Sequence, residues 1–175
     1  PAVRTPQEQA LLDRLDADGY AMTLVTQYQR AFTDYSQARF VAMAAAPDFA
    51  MAGFVNGLAN ADTPVGLFYD AAKALEASWI VSGWTSQRQL TVDSATAFLE
   101  RHDLGATFAM QTAGNACYAG TPFAGWTALG HGGGVANLTV LHRSNGAVFG
   151  YDPAYLTGEG AVVLRAALRF LDGRR

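Results

Sequence analysis

The sequence predicts an α+β fold, in which a helical N-terminal half packs on a small antiparallel β element and a C-terminal helix closes the domain. Apolar residues recur at helical intervals through the first half of the chain, β-rich runs flank Asn145-Gly146, and an amphipathic pattern covers residues 158–173. The chain has 175 residues, which fits one domain, so we expect a single domain over residues 1–175.

The first helix is predicted from its start signal. Thr5 can cap the helix, Pro6 suits its first position, and Glu8 can bond back to the cap. A stripe of leucines follows at helical spacing, and Gly19 is typical of a helix end. These signals predict a helix over residues 6–18.

Further helices are predicted along the first half. From Met22 the apolar and aromatic residues recur mostly every three or four positions, which predicts a helix as far as Pro47. Asp48 can cap a short successor. Thr63 is followed by a proline, as Thr5 is, and this cap and first position predict a second long helix that ends at Gly83.

The second half of the chain has a different character. After a predicted helix over residues 93–105, residues 106–141 are rich in glycine and contain no Asp, Glu, Lys or Arg. Asn145-Gly146 is the strongest short hairpin signal, because both turn positions of a tight hairpin need positive φ. The last helix, over residues 158–173, should turn Val163 and Leu171 inward.

Charge and hydropathy exclude several classes of protein. The net charge of −3 provides no field that would attract nucleic acid. Residues 40–61 have the length of a membrane span. Asp48, however, lies near the middle, where a carboxylate raises the free energy of membrane insertion by about 2.5–3.5 kcal/mol. We therefore expect a buried helical hairpin and no membrane span. The chain starts at Pro1 without the pattern of a signal peptide, from which we expect a cytoplasmic protein.

The run of His131 and the three glycines after it is of the kind that esterases use to present backbone N–H groups to an oxyanion. That chemistry needs a serine nucleophile within a G-x-S-x-G motif. Ser144 is the only serine that follows, and it does not lie in such a motif. We interpret the run as a tightly turned connection whose backbone can line a pocket. His131, Gly132 and Gly133 are therefore candidate binding residues.

Cys117 supports one catalytic hypothesis. A thiolate paired with an imidazole is a nucleophile near neutral pH, and Cys117, His142 and Asp152 follow in the Cys–His–Asp order of papain-like hydrolases. A lone cysteine between alanines is, however, typical of a small buried hydrophobe. His102, His131 and His142 have no spacing that prepares a metal site, so we expect no metal, and nothing in the sequence indicates a cofactor.

The composition favours a binding or assembly protein. Hydrophobic residues make up 50% of the chain and charged residues 15%, against roughly 25% charged residues in ordinary soluble domains. Because a long neutral segment solvates poorly, we expect a non-catalytic protein that is oligomeric or part of a larger complex, bound to a protein partner, to itself or to a small apolar ligand. Trp79, Trp84 and Trp126 are candidate contact residues. A cysteine-dependent hydrolase is the alternative, so whether the chain is an enzyme stays open.

Overall fold

The structure is a computed structural model that describes residues 4–44, 46, 48–85, 88–92, 107–112, 117–122, 127–128, 130–131, 140–143 and 146–173. These residues form three α-helices, namely α1 (Pro6–Ala17), α2 (Met51–Asn60) and α3 (Gly158–Leu171). The strands are β1 Val41–Met43, β2 Val65–Phe68, β3 Trp79–Thr85, β4 Gln89–Val92, β5 Thr107–Ala109, β6 Cys117–Pro122, β7 Thr127–Ala128, β8 Gly130–His131, β9 Val140–Arg143 and β10 Gly146–Phe149. Within this part of the chain, no helix has the length and apolar character needed to cross a membrane.

Helix α1 begins as predicted. The Thr5 hydroxyl accepts the Glu8 N–H at 3.2 Å, and the Glu8 carboxylate accepts the Thr5 N–H at 2.7 Å, so the capping box is complete. Leu11 and Leu15 are buried on the inner face of the helix. Gly19 follows the helix with a φ of 79°, a conformation that glycine adopts without strain.

The largest sheet has five strands in the order β1-β2-β10-β9-β7. Strands β1, β2 and β10 run parallel to one another, whereas β9 runs antiparallel to β10 and β7 antiparallel to β9. Strand β3 pairs with β6 in a second sheet, and a third sheet has the order β5-β4-β8. The central strands β2 and β10 are buried at every position.

Side chains of β2 alternate between the two faces of the five-stranded sheet, as the period of a strand requires. Phe68 belongs to a core cluster with the buried residues of α1 and α3. Leu67 belongs to a second cluster with Val148 and the buried residues of α2. The sheet is therefore the middle of three layers, with α1 and α3 on one face and α2 on the other.

The predicted mixture of helices and strands is confirmed. The prediction that the N-terminal half is helical, however, is wrong in two places. In place of the helix from Met22 to Pro47, residues 20–26 form no regular secondary structure, a 3-10 turn covers Arg30–Phe32, and β1 follows. Strand β1 is stabilised by its ladder with β2, a pairing across more than twenty residues that local periodicity does not reveal.

The second difference concerns the helix predicted from Thr63 to Gly83. The structure has strand β2, a 3-10 helix over Tyr69–Ser78 and strand β3 in this stretch. Residues of β2 are buried on both faces, and a short apolar run of this kind is typical of a parallel strand. The helix predicted over residues 93–105 lies outside the described residues.

The hairpin around Asn145-Gly146 is confirmed in part. Strands β9 and β10 pair antiparallel on either side of it, with Val140 opposite Phe149 and His142 opposite Ala147. The second edge of β10, however, pairs with β2. The two strands are therefore inner strands of the five-stranded sheet rather than a small separate element.

The C-terminal helix matches its predicted range closely. Thr157 caps α3 by accepting the Gly160 N–H at 3.0 Å. Val163, Ala167 and Leu171 are buried, as the amphipathic pattern predicts.

Candidate functional site

The carboxyl ends of β2 and β10 bring together side chains from distant parts of the sequence. Because the two strands are parallel neighbours, the residues that follow Phe68 and Phe149 lie at the same edge of the sheet. In open α/β sheets this edge is where ligands bind. We call the cluster of Gln7, Tyr69, Cys117 and Asp152 the carboxyl-edge site.

Tyr69 follows β2 directly and has a φ of 51°. This left-handed conformation costs a non-glycine residue about 1–2 kcal/mol, so the surrounding structure must hold it in place. The side chain is half-buried, and burial, together with the nearby charge of Asp152 and a hydrogen bond to that carboxylate, raises the pKa of Tyr69 to about 12. The hydroxyl is therefore protonated at neutral pH and donates to Asp152.

Asp152 is completely buried and connects three parts of the fold. Its Oδ1 accepts the Ala154 N–H at 2.9 Å, which caps the 3-10 turn Pro153–Tyr155. Its Oδ2 accepts the side-chain amide of Gln7 at 2.9 Å, which ties α1 to this edge. With the Tyr69 hydroxyl, the carboxylate has the partners that a buried charge requires.

Cys117 lies at the start of β6 and is buried in the core cluster on the α1 and α3 face. Cys117 contributes to the raised pKa of Tyr69, after burial and the charge of Asp152. Two of the three residues of the hydrolase hypothesis, Cys117 and Asp152, thus lie near Tyr69. Sequence reasoning did not select Tyr69, because only its strained backbone and its distant neighbours distinguish it.

The other predicted site residues are distributed over several sheets. The backbone of His142 is opposite that of Ala147 in the five-stranded sheet. His131 pairs with Thr91 in the third sheet and is half-buried. In the second sheet, the backbone of Trp79 is opposite Pro122 and that of Trp84 is opposite Tyr118. The candidates outside the described residues are Trp126, Gly132 and Gly133.

Exposed aromatic side chains form a second feature, remote in sequence from the carboxyl-edge site. Among the described residues, seven large apolar side chains are exposed, and five of them lie between residues 22 and 49. Tyr28, Phe32 and Phe49 are exposed to 80%, 90% and 102% of the reference area. We call these three residues the aromatic surface.

An ion pair holds two parts of the aromatic surface together. Arg30 Nη2 lies 2.6 Å from Asp48 Oδ1, which brings the turn that contains Phe32 close to Phe49. The hydrogen bond from Arg30 lowers the pKa of Asp48 below its usual value. The Arg30 guanidinium also lies 5.6 Å from the ring centroid of Phe54 in α2.

The layers and topology define a three-layer domain with a mixed central sheet. No family model matches the sequence, and no curated protein is detectably similar to it. Among solved structures, the chain is similar to a putative ThuA-like protein from Bacteroides uniformis, with 13% identity and a TM-score of 0.61 over 94% of this chain and 82% of that one. It is also similar to the mmIFT52 N-terminal domain, with 8% identity and a TM-score of 0.61 over 93% of this chain and 89% of that one. At these identities the likeness shows the fold alone.

Proposed function

We propose that the chain is a binding and assembly protein that associates with a second copy of itself through the aromatic surface. The observation that supports this proposal is the exposure of Tyr28, Phe32 and Phe49 in one segment. Single exposed apolar residues are ordinary, but a concentration of them is typical of an interaction site.

The area of the surface is suited to a dimer. Buried aromatic side chains cover about 150–250 Å² each, so three of them provide roughly 450–750 Å² per copy. Met22 and Leu24, which are also exposed, add to this area. A standard interface buries about 800 Å² per partner, and in a two-fold dimer each copy contributes the same surface.

The charges of the segment are consistent with burial in an interface. The centres of interfaces are depleted in charge and enriched in aromatic residues and arginine. Arg30 and Asp48 are already paired within one copy at 2.6 Å, and Arg30 is only 13% exposed. Covering the surface therefore leaves neither of these two charges without a partner.

The test is the mass in solution, measured by light scattering or sedimentation from low to high micromolar concentration. We expect the native chain to form dimers as concentration rises, and the double variant Phe32→Ser, Phe49→Ser to stay monomeric. Val162→Ser removes another exposed apolar side chain, on α3, and should dimerise as the native chain does. A native chain that is monomeric throughout, or equal association of all three proteins, contradicts the proposal.

A second candidate is the cysteine-dependent hydrolase. It is supported by the electrostatic contributions of both Cys117 and Asp152 to the raised pKa of Tyr69, which indicate that both residues lie near Tyr69. Alkylation of the native protein with iodoacetamide tests it. Rapid labelling of Cys117 without denaturant supports a reactive thiol, and a thiol that reacts only after unfolding excludes the hydrolase.

A further inference from the structure

The Arg30–Asp48 ion pair joins the two segments of the chain that carry the aromatic surface. Arg30 begins the 3-10 turn that ends at Phe32, and Asp48 directly precedes Phe49, so each partner of the pair is close in the chain to one exposed ring. Strand β1 lies between the two segments along the chain. The 2.6 Å contact between Nη2 and Oδ1 is a charge-assisted hydrogen bond, which is stronger than a bond between neutral groups.

Arg30 is also attached to helix α2 by other contacts. Its guanidinium lies 5.6 Å from the ring centroid of Phe54, a residue of α2. Its carbonyl accepts the hydroxyl of Tyr35 at 3.1 Å, and the Tyr35 ring packs edge-on against Phe54 with the centroids 5.5 Å apart. The turn is therefore tied to α2 through both the side chain and the backbone of Arg30.

Asp48 is fixed at the start of the same helix. Its Oδ1 accepts the Ala50 N–H at 3.0 Å in addition to the Arg30 guanidinium, and its carbonyl accepts the Met51 N–H at 3.1 Å. Phe49 lies between these residues, so its backbone is held against the first turn of α2. Both ends of the ion pair thus have a fixed position, while the rings beside them are exposed.

A surface that is ordered before it binds has a higher affinity than one that becomes ordered on binding. Every side chain or loop segment that must be immobilised in an interface costs free energy, and a contact formed beforehand removes that cost. The ion pair is formed within one copy. A second copy would therefore bind Phe32 and Phe49 without first bringing their two segments together.

We propose that the Arg30–Asp48 ion pair is a positioning contact for self-association, which sets its affinity by holding Phe32 and Phe49 in the arrangement that the second copy binds. The inference rests on the proposed function, because it concerns the same surface. It assigns control of the dimer dissociation constant to two residues that are not themselves part of the aromatic surface.

The test compares dimer dissociation constants of the full chain, measured by sedimentation over a range of concentrations. Asp48→Asn keeps an oxygen that can accept the Ala50 N–H, and Arg30→Met keeps an unbranched side chain against Phe54, so each change removes little besides the ion pair. We expect each variant to raise the dissociation constant about tenfold, because the two segments must then be ordered when the second copy binds.

The double variant Arg30→Met, Asp48→Asn separates positioning from an effect of charge. Each single change leaves one charge without its partner, and burial of that charge in the interface would also weaken association. The double variant carries neither charge, so positioning predicts that it is still about tenfold weaker than the native chain. Arg30→Lys keeps a cation that can pair with Asp48 and should restore nearly native affinity.

Arg39→Met is the matched control, because it breaks another ion pair of the same stretch of chain, the 3.1 Å contact between Arg39 and Asp172. It should dimerise as the native chain does. Denaturant unfolding at a concentration where all the proteins are monomeric verifies that the variants are folded. If the double variant does not fold, Asp48→Asn is compared with Arg30→Lys, and equal dissociation constants overturn the inference.

The outcomes distinguish this inference from the proposed function. If the double variant dimerises as tightly as the native chain while Phe32→Ser, Phe49→Ser stays monomeric, the positioning role is overturned and the proposed function stands. The positioning role is also overturned if Arg39→Met weakens association as much as the double variant does. A native chain that is monomeric throughout overturns both.

Discussion

Two sets of aromatic residues in this molecule have opposite environments. Phe68, Phe149 and Tyr151, at the carboxyl ends of the central strands, are at most 1% exposed. The residues of the aromatic surface, Tyr28, Phe32 and Phe49, are at least 80% exposed. Residue type is nearly the same in the two sets, so the difference comes from the elements around them.

The buried set has partners on every side. Phe149 lies 6.2 Å from Phe68 and 6.0 Å from Tyr151 between ring centroids, and helices α1 and α3 cover the face of the sheet that holds them. The exposed set lies on turns next to β1 and α2, where no described element covers it. The central sheet buries its aromatic residues, whereas the segment over residues 22–49 exposes them on the surface that we propose joins two copies.

The largest effect is expected from truncation in the buried set. Phe149→Ala should lower the free energy of unfolding by about 3–5 kcal/mol, because it removes buried apolar area and leaves a cavity. Phe32→Ala, the matched change on the aromatic surface, should alter the stability of the monomer by no more than about 0.5 kcal/mol. Denaturant unfolding at a concentration where both variants are monomeric measures the difference, and similar losses would contradict the comparison.

An intermediate effect is expected from added volume in the core. A Cβ on Gly66 would lie 2.5 Å from Leu171 Cδ1 and 2.6 Å from Phe68 Cε2, so Gly66→Ala should destabilise the fold by about 1–3 kcal/mol. Gly53 lies in α2 with no atom within 4 Å of such a Cβ. Gly53→Ala should therefore stabilise the fold by about 0.5–1 kcal/mol, through helix propensity alone. Thermal unfolding of the Gly66→Ala and Gly53→Ala variants measures whether each raises or lowers the stability of the fold. A destabilised Gly53→Ala would show that α2 is packed differently.

A smaller effect, confined to alkaline pH, is expected from Tyr69. The pKa of Tyr69 is raised from 10.0 to about 12, so between these values the folded chain keeps a proton that the unfolded chain loses. The stabilisation from this group is complete below pH 10 and declines as pH rises towards 12. Tyr69→Phe cannot titrate and should lose stability less steeply in this window than the native protein, as measured by denaturant unfolding.

The charge of Asp152 is the second cause of this shift, after burial. In Asp152→Asn the pKa of Tyr69 should therefore move back towards 10, as followed by the ultraviolet absorbance of the phenolate. An unchanged titration in that variant would show that the carboxylate does not interact with the hydroxyl.

The elements that sequence predicts well are those whose signals are local. The capping box at Thr5 and Glu8 and the amphipathic pattern of α3 lie within a few residues of what they determine. Strand β2 was mistaken for a helix, because its apolar run is stabilised by β1 and β10, and the second of these is about eighty residues away. Periodicity alone does not distinguish a buried strand from a buried helix.

The candidate site was predictable only in part for the same reason. Cys117 and Asp152 were selected for their chemistry, but Gln7 and Tyr69 reach the same edge only through the fold. Tyr69 gives no local signal for its left-handed backbone, which glycine or asparagine would have given. The helical spacing of Tyr28 and Phe32 predicted a helix, because spacing does not report which contacts are made.

Oxidative footprinting of the native chain at low and high concentration tests the central proposal most directly, since it reports the exposure of individual side chains. If the aromatic surface joins two copies, Tyr28, Phe32 and Phe49 should lose reactivity at high concentration, while Tyr155, which is exposed elsewhere, keeps its reactivity. Equal labelling of the three residues at both concentrations would contradict the assignment of this surface to self-association.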